Sequence, residues 1–304
     1  MPSRDRLPIT LAHSPDPDDA FMWWPLVGLG DDGPAIDTGR FDFKLAMDDI
    51  ESLNIASERG EYDVTAISIA QYPNVRERYI LTACGASIGD GYGPKLVTLP
   101  GMGLDRIRDE RPVIAVPGDR TTALASSRLL LGESMRWEAV PFDEIDAAVL
   151  DGRYLAGVVI HEGQLTCERN GLEIVRDLGA WWQETRGLIL PLGGNVAKRD
   201  LQARGGPGTL AALAGVLKAS LEHALEHREA SLEWAMRFGR GIDRADADRF
   251  VEMYVNRWTL EFGQDGEAAV QTFLEQAHEA GILKNPGMVD FARPMVAGGA
   301  GVDA

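Results

Sequence analysis

Apolar positions along the chain follow two rhythms, and the order in which they alternate is the first clue to its architecture. Residues 9–12 form a short apolar run that reads as a strand, residues 41–46 alternate like one, and residues 64–69 give a third. Between the second and third, Leu53, Ala56 and Ser57 recur at helical spacing within residues 50–59, and Gly60 ends that helix. This β-α-β order predicts a mostly parallel sheet. A second unit follows, with strands at 95–99, 113–116 and 155–160 and helices at 121–131 and 142–150. From Pro207 the pattern is helical: Leu210, Leu213, Leu217, Leu221 and Leu225 fall on one stripe. Further helices are predicted at 231–237, 246–259 and 266–280, the tail after Asn285 reads as irregular, and residues 298–301 as loose. No internal sequence repeat is visible.

The breaks between these runs suggest how the units are joined. Residues 85–94 are glycine-rich, but no Gly-Lys-Ser/Thr follows and no helix opens there, so neither a P-loop nor a dinucleotide fingerprint is present. The segment reads as a crossing between lobes, with Tyr92 within reach of the cleft. Residues 190–195 read as the loop leading back, and Trp181 and Trp182 as packing at the junction. The expected fold class is therefore α/β and two-lobed, each lobe a mixed, mostly parallel sheet flanked by helices, with a cleft between. Residues 1–97 and 197–304 would form a discontinuous larger lobe and 98–196 an inserted smaller one.

Candidate chemistry gathers at the strand ends. His161 directly follows the uncharged run 155–160, and ligands of open α/β sheets sit beyond the carboxyl ends of strands. An imidazole there is suited to moving a proton; the plainer alternative is a histidine satisfied at a strand end. Pro117-Gly-Asp-Arg-Thr-Thr122 joins a strand to a helix that opens on hydroxyl residues. Free main-chain N–H groups, the helix dipole, Thr121 and Thr122 can together hold an anion, although Asp119 or Thr121 can equally be a simple N-cap. Ala66, Ile67 and Ser68 offer strand edge groups and one hydroxyl. Asp16, Asp18 and Asp19 crowd the first loop, where capping of the next helix by Asp18 or Asp19 is a better reading than a cation site. His223 and His227 have a metal-binding spacing, but they lie off the leucine stripe beside Glu222 and Glu226, on what should be a solvated face; no metal site is expected.

Composition narrows the partners. The formal net charge of −17 over 304 residues argues against nucleic acid or an anionic membrane surface. A small anionic substrate must then be attracted locally, which a helix terminus can do without lysine or arginine. Cys84 and Cys167 form no C-x-x-C, no Gly-x-Ser-x-Gly elbow occurs, and neither a signal sequence nor a membrane-spanning run is visible. A cytoplasmic location is the expectation, with the oligomeric state left open.

Six segments in order resemble one known family: residues 14–21 (SPDPDDAF), 62–68 (YDVTAIS), 91–94 (GYGP), 117–123 (PGDRTTA), 160–166 (IHEGQLT) and 191–195 (PLGGN). They resemble the 1,4-dihydroxy-6-naphthoate synthases, or cyclic dehypoxanthine futalosine lyases, of the futalosine route to menaquinone. The resemblance spans about residues 9 to 200 and implies a type 2 periplasmic-binding-protein-like fold without a cofactor. It also implies a lyase that converts cyclic dehypoxanthine futalosine to 1,4-dihydroxy-6-naphthoate with release of a three-carbon fragment. On that basis His161 matches the proton-accepting histidine, and Ala66, Ile67, Ser68, Thr121 and Thr122 match the substrate-binding positions. The first loop departs from the family's common Cys-Pro-Asn-Asp-Thr pattern, with Asp16 and Ala20 at its ends. A solute-binding protein for a small carboxylate, or a pathway paralogue such as chorismate dehydratase, are the alternatives.

Overall fold

Two stretches of this sequence, each a strand–helix–strand–helix–strand series, fold with the same topology. The computed structural model describes residues 6–30, 33–238 and 243–295; the segment 298–301 lies outside them. The first series is β1 (Leu7–His13), α1 (Pro17–Trp23), β2 (Phe41–Met47), α2 (Ile50–Arg59) and β3 (Val64–Ser68). Its opening strand is central, because β1 pairs in parallel with both β2 and β3. The short elements α3 (Tyr72–Val75), β4 (Tyr79–Thr82), β5 (Ser87–Gly89), β6 (Lys95–Thr98) and α4 (Leu104–Glu110) follow. The second series is β7 (Val113–Val116), α5 (Thr122–Leu131), β8 (Arg136–Ala139), α6 (Ile145–Leu150) and β9 (Ala156–Val159), again with the opening strand between the other two in parallel.

Antiparallel strands complete both sheets. After β10 (Glu173–Asp177) and α7 (Leu178–Arg186), β11 (Leu190–Lys198) runs antiparallel between β3 and β4. The chain ends with α8 (Leu201–Gly205), α9 (Thr209–Glu226), α10 (Arg228–Ala235), α11 (Arg244–Tyr254), α12 (Arg257–Leu260), α13 (Gly263–Glu279) and the two-residue β12 (Phe291–Ala292). The larger sheet has the order β12-β4-β11-β3-β1-β2, with β5 on β11, and the smaller β10-β6-β9-β7-β8. Residues 190–195 are therefore strand rather than loop, and they belong to the larger sheet, whereas Lys95 already begins a strand of the smaller one. The expected helix 246–259 is two helices, because Asn256 starts a new one with a reciprocal capping box to Thr259. The expected helix 142–150 begins as a 3-10 turn over Phe142–Glu144.

The leucine stripe does what its spacing implies. Leu213, Leu217 and Leu221 are fully buried against α1, whose Phe21, Met22 and Trp23 are also inaccessible, while Leu210 and Leu225 lie at the edge. Each such side chain contributes roughly 1.5–3 kcal/mol on burial. Two hydrogen bonds fix the register of this layer: Trp24 Nε1 donates to Ser231 Oγ at 2.8 Å, and Ser220 Oγ donates to the Met22 carbonyl at 2.8 Å. The result is a rigid platform under the first turn of α1. Trp181 and Trp182 sit on α7 in the largest apolar cluster. Among the described residues no helix is long and apolar enough to cross a membrane.

Candidate active site

The carboxyl ends of β1, β3, β7 and β9 converge on one cavity between the sheets, with about 700 Å³ of empty space including its open mouth. All five residues proposed to bind substrate line it: Ala66, Ile67 and Ser68 from β3, and Thr121 and Thr122 from the start of α5. They come from different sheets, so the cavity needs both lobes.

The α5 end is built to present N–H groups. Thr121 has extended backbone, and its Oγ1 accepts from Leu124 N–H at 3.1 Å while donating to the Gly118 carbonyl at 2.9 Å. Thr122 Oγ1 donates to the Leu192 carbonyl at 2.7 Å and accepts from Ala70 N–H at 3.1 Å. Both hydroxyls thus serve the protein itself, contrary to the expectation that they converge on the ligand. What this terminus offers instead are the main-chain N–H groups of Thr122 and Ala123, which have no partner among the described residues. Ser68 is locked by Asn54, which accepts its N–H at 2.8 Å and donates to its Oγ at 3.1 Å; the Ser68 O–H is left to donate.

Opposite lies a different kind of helix end. Pro17 occupies the first turn of α1, and Asp16 is the N-cap residue without a side-chain capping bond. Asp18 and Asp19 are therefore inside the helix, not caps, and all three acids line the cavity. Asp18 accepts from Ser87 Oγ at 2.9 Å, and Asp19 from Ser14 N–H at 3.0 Å. Burial, then repulsion from Asp19 and Asp16, holds the Asp18 carboxyl well above the ordinary carboxylate range, against the pull of Ser87. Burial also raises Asp19, opposed chiefly by the neighbouring His13. Carboxyls raised in this way take up a proton more readily than ordinary ones, which weakens the repulsion an anion would meet.

Sequence reasoning did not single out Asn195 or Tyr254 as site residues, and both line the cavity. Asn195 on β11 donates from Nδ2 to the Gly85 carbonyl at 2.7 Å, and its buried Oδ1 has no partner. Gly85, at φ 80°, allows this approach, since a Cβ there would lie 2.8 Å from Asn195 Nδ2. Tyr254, at the end of α11, reaches the cavity with its hydroxyl 3.3 Å from Gln164 Oε1. Tyr92 packs edge-on against it and donates to the Met253 carbonyl, so it stands behind the wall and does not line the cavity.

His161 does not line this cavity. Its neighbour Ile160 does, while the ring lines a separate hollow with Asp143, Asp146, Glu162 and Gly163. Phe142 packs edge-on against the imidazole at 5.3 Å between centroids. Nδ1 accepts from Gly163 N–H at 2.8 Å, and Nε2 is buried without a partner. This differs from the strand-end histidine with every bond satisfied. His223 and His227 stack at 4.0 Å on α9, beside Trp24 and away from the cavity. Both cysteines are buried, and burial pushes the Cys84 thiol up to about 12, which disfavours a nucleophile. No cluster of potential metal ligands occurs among the described residues.

Ion pairs bridge the lobes beside the cavity. Arg120, just before Thr121, donates from its main chain to Glu51 Oε2 at 3.2 Å and from Nε to Glu58 Oε1 at 2.7 Å, both on α2. Gly118 lets α2 come this close, because a Cβ there would lie 2.5 Å from Glu51 Oε2. On the far side Arg169 pairs with Asp246 of α11.

Comparison with known proteins follows this geometry closely. Residues 9–279 match the family described as menaquinone biosynthesis. A 1,4-dihydroxy-6-naphthoate synthase of Streptomyces coelicolor is 34% identical over 281 residues, covering 90% of this chain and 94% of that protein. The crystal structure of protein AF1704 from Archaeoglobus fulgidus superposes with a TM-score of 0.79 at 37% identity, covering 91% of this chain and 98% of that one. A Candida albicans protein described as having the generic periplasmic binding protein fold gives a TM-score of 0.68 at 10% identity, over 96% and 99% of the two chains. The last likeness speaks for the fold alone.

Proposed function

The chain belongs to the menaquinone-biosynthesis family, and from that premise we propose that it is a lyase forming 1,4-dihydroxy-6-naphthoate from cyclic dehypoxanthine futalosine. The observation that carries this reading is the single cavity in which Ala66, Ile67, Ser68, Thr121 and Thr122 meet across two lobes. The substrate carboxylate docks on the N–H groups of Thr122 and Ala123, with the Ser68 hydroxyl as a further donor. The ring system fills the space toward Ile160 and Leu192.

His161 is the proton acceptor in this reading. Its unpartnered Nε2 and its position beside Ile160 support the role. Loss of the substrate proton drives ring opening, and the gain of aromaticity in the product draws the fragmentation forward. The protein's own part is to bind, orient, exclude water and move that proton. The test is direct: purified protein plus cyclic dehypoxanthine futalosine should yield the naphthoate, and His161→Ala should lower kcat by about 10²–10⁴-fold. An unchanged kcat in that variant removes His161 from the mechanism, and no product at all removes the lyase reading.

A further inference from the structure

The described imidazole is in the wrong tautomer for a base. Gly163 N–H donates to Nδ1 at 2.8 Å, so the lone pair sits on Nδ1 and a neutral ring carries its proton on Nε2. Such a ring donates from Nε2 and cannot accept there. A base acting through Nε2 needs its proton on Nδ1, and some group must hold it.

One group is placed to do so. Glu162 Oε2 lies 3.9 Å from His161 Nδ1, and the two side chains are 10% and 12% exposed. That oxygen is buried without a hydrogen-bond partner. An unpartnered buried carboxylate oxygen is costly, which marks it as waiting for a donor. A shift of about 1 Å brings the pair to ordinary hydrogen-bond length. Asp146 also has an unpartnered buried oxygen on this hollow, and the imidazole pulls its burial-raised carboxyl back down, but among the described residues it makes no ion pair with the ring. Residue 163 must be glycine for the ring to sit here, because a Cβ would lie 2.4 Å from His161 Cε1.

We propose that Glu162 is a positioning residue, taking the Nδ1–H of His161 when substrate is bound and so freeing the Nε2 lone pair to accept the substrate proton. The proposal rests on the base reading above. In the step, the substrate C–H bond breaks, Nε2–H forms, the electron pair stays with the substrate, and the imidazolium is held by Nδ1–H donating to Glu162. The other charged groups on this hollow are Asp143, Asp146, Arg169, Asp243 and Asp246.

The experiment uses the full chain with 1,4-dihydroxy-6-naphthoate as the bound probe, and ¹⁵N NMR of the His161 ring. Wild type should change from the Nε2–H to the Nδ1–H tautomer on binding; a ring that stays Nε2–H overturns the proposal without any variant. In Glu162→Gln, kcat should fall about 10–100-fold with KM little changed. A folded Glu162→Gln with wild-type kcat overturns it. His161→Ala separates the two failures: if it loses turnover while Glu162→Gln does not, only the role of Glu162 falls.

Discussion

The turn after β1 and the turn after β7 occupy equivalent places, yet they do opposite things. Each follows the central strand of a parallel trio and leads into a helix whose first turn lines the cavity. At α5 the residues are neutral, Thr121 caps one N–H, and the next two are left for a ligand. At α1 the first turn carries carboxyls instead: Asp19 takes the Ser14 N–H and Asp18 the Ser87 hydroxyl. Topology fixes where a helix end points, while the side chains of its first turn decide what chemistry it presents. One cavity thereby has unpartnered N–H groups on one wall and carboxyls raised by burial on the other.

The sharpest way to break this contrast is to make the two ends alike. Ala123→Asp puts a carboxylate into the receptive turn, and like charges about 4 Å apart at an effective dielectric near 20 repel by about 4 kcal/mol. KM should rise about 100-fold or more in steady-state assays while the variant stays folded; an unchanged KM would show that the α5 end does not hold the anion. Thr121→Ala tests the same end more gently. Losing the cap should cost about 1 kcal/mol in denaturant unfolding, with a several-fold higher KM and a nearly constant kcat.

The smallest effect concerns the acidic end and has a definite sign. Asp18 is raised in the folded chain, so between the ordinary carboxylate pKa and the folded one the native state holds more protons, and stability falls as pH rises through that window. Asp18→Asn should therefore raise the Tm at pH 7.5 by roughly 2–4 °C, with the gain fading as pH drops towards about 4. A gain that persists in acid would place its origin elsewhere than in this titration.

The parts legible in the sequence were those set by local pattern. Residues 64–69 read as a strand because no charge, glycine or proline interrupts Val64-Thr-Ala-Ile-Ser-Ile69, and the helix after Thr121 announced itself by hydroxyl residues before an apolar run. The substrate-binding positions implied by the family resemblance all fall on one cavity. The misread parts depend on distant partners. Pro191, Gly193 and Gly194 carry turn residues, yet they form a strand because β3, buried on both faces, needs a neighbour, and Gly194 fits opposite Ile67. Asn195 and Tyr254 could not be found for the same reason: each enters the cavity from an element whose place is set by tertiary packing. The Asp18 and Asp19 misreading was avoidable, since Pro17 already marks the first helical position.

The Arg120 clamp on Glu51 and Glu58 has a consequence for traffic. This clamp and the Arg169–Asp246 pair tie the smaller lobe to α2 and α11. Any parting of the two lobes must break them, so they add to the cost of opening. Because Arg120 adjoins the cap residue Thr121 in the chain, a parting of the halves would be transmitted straight to the start of α5.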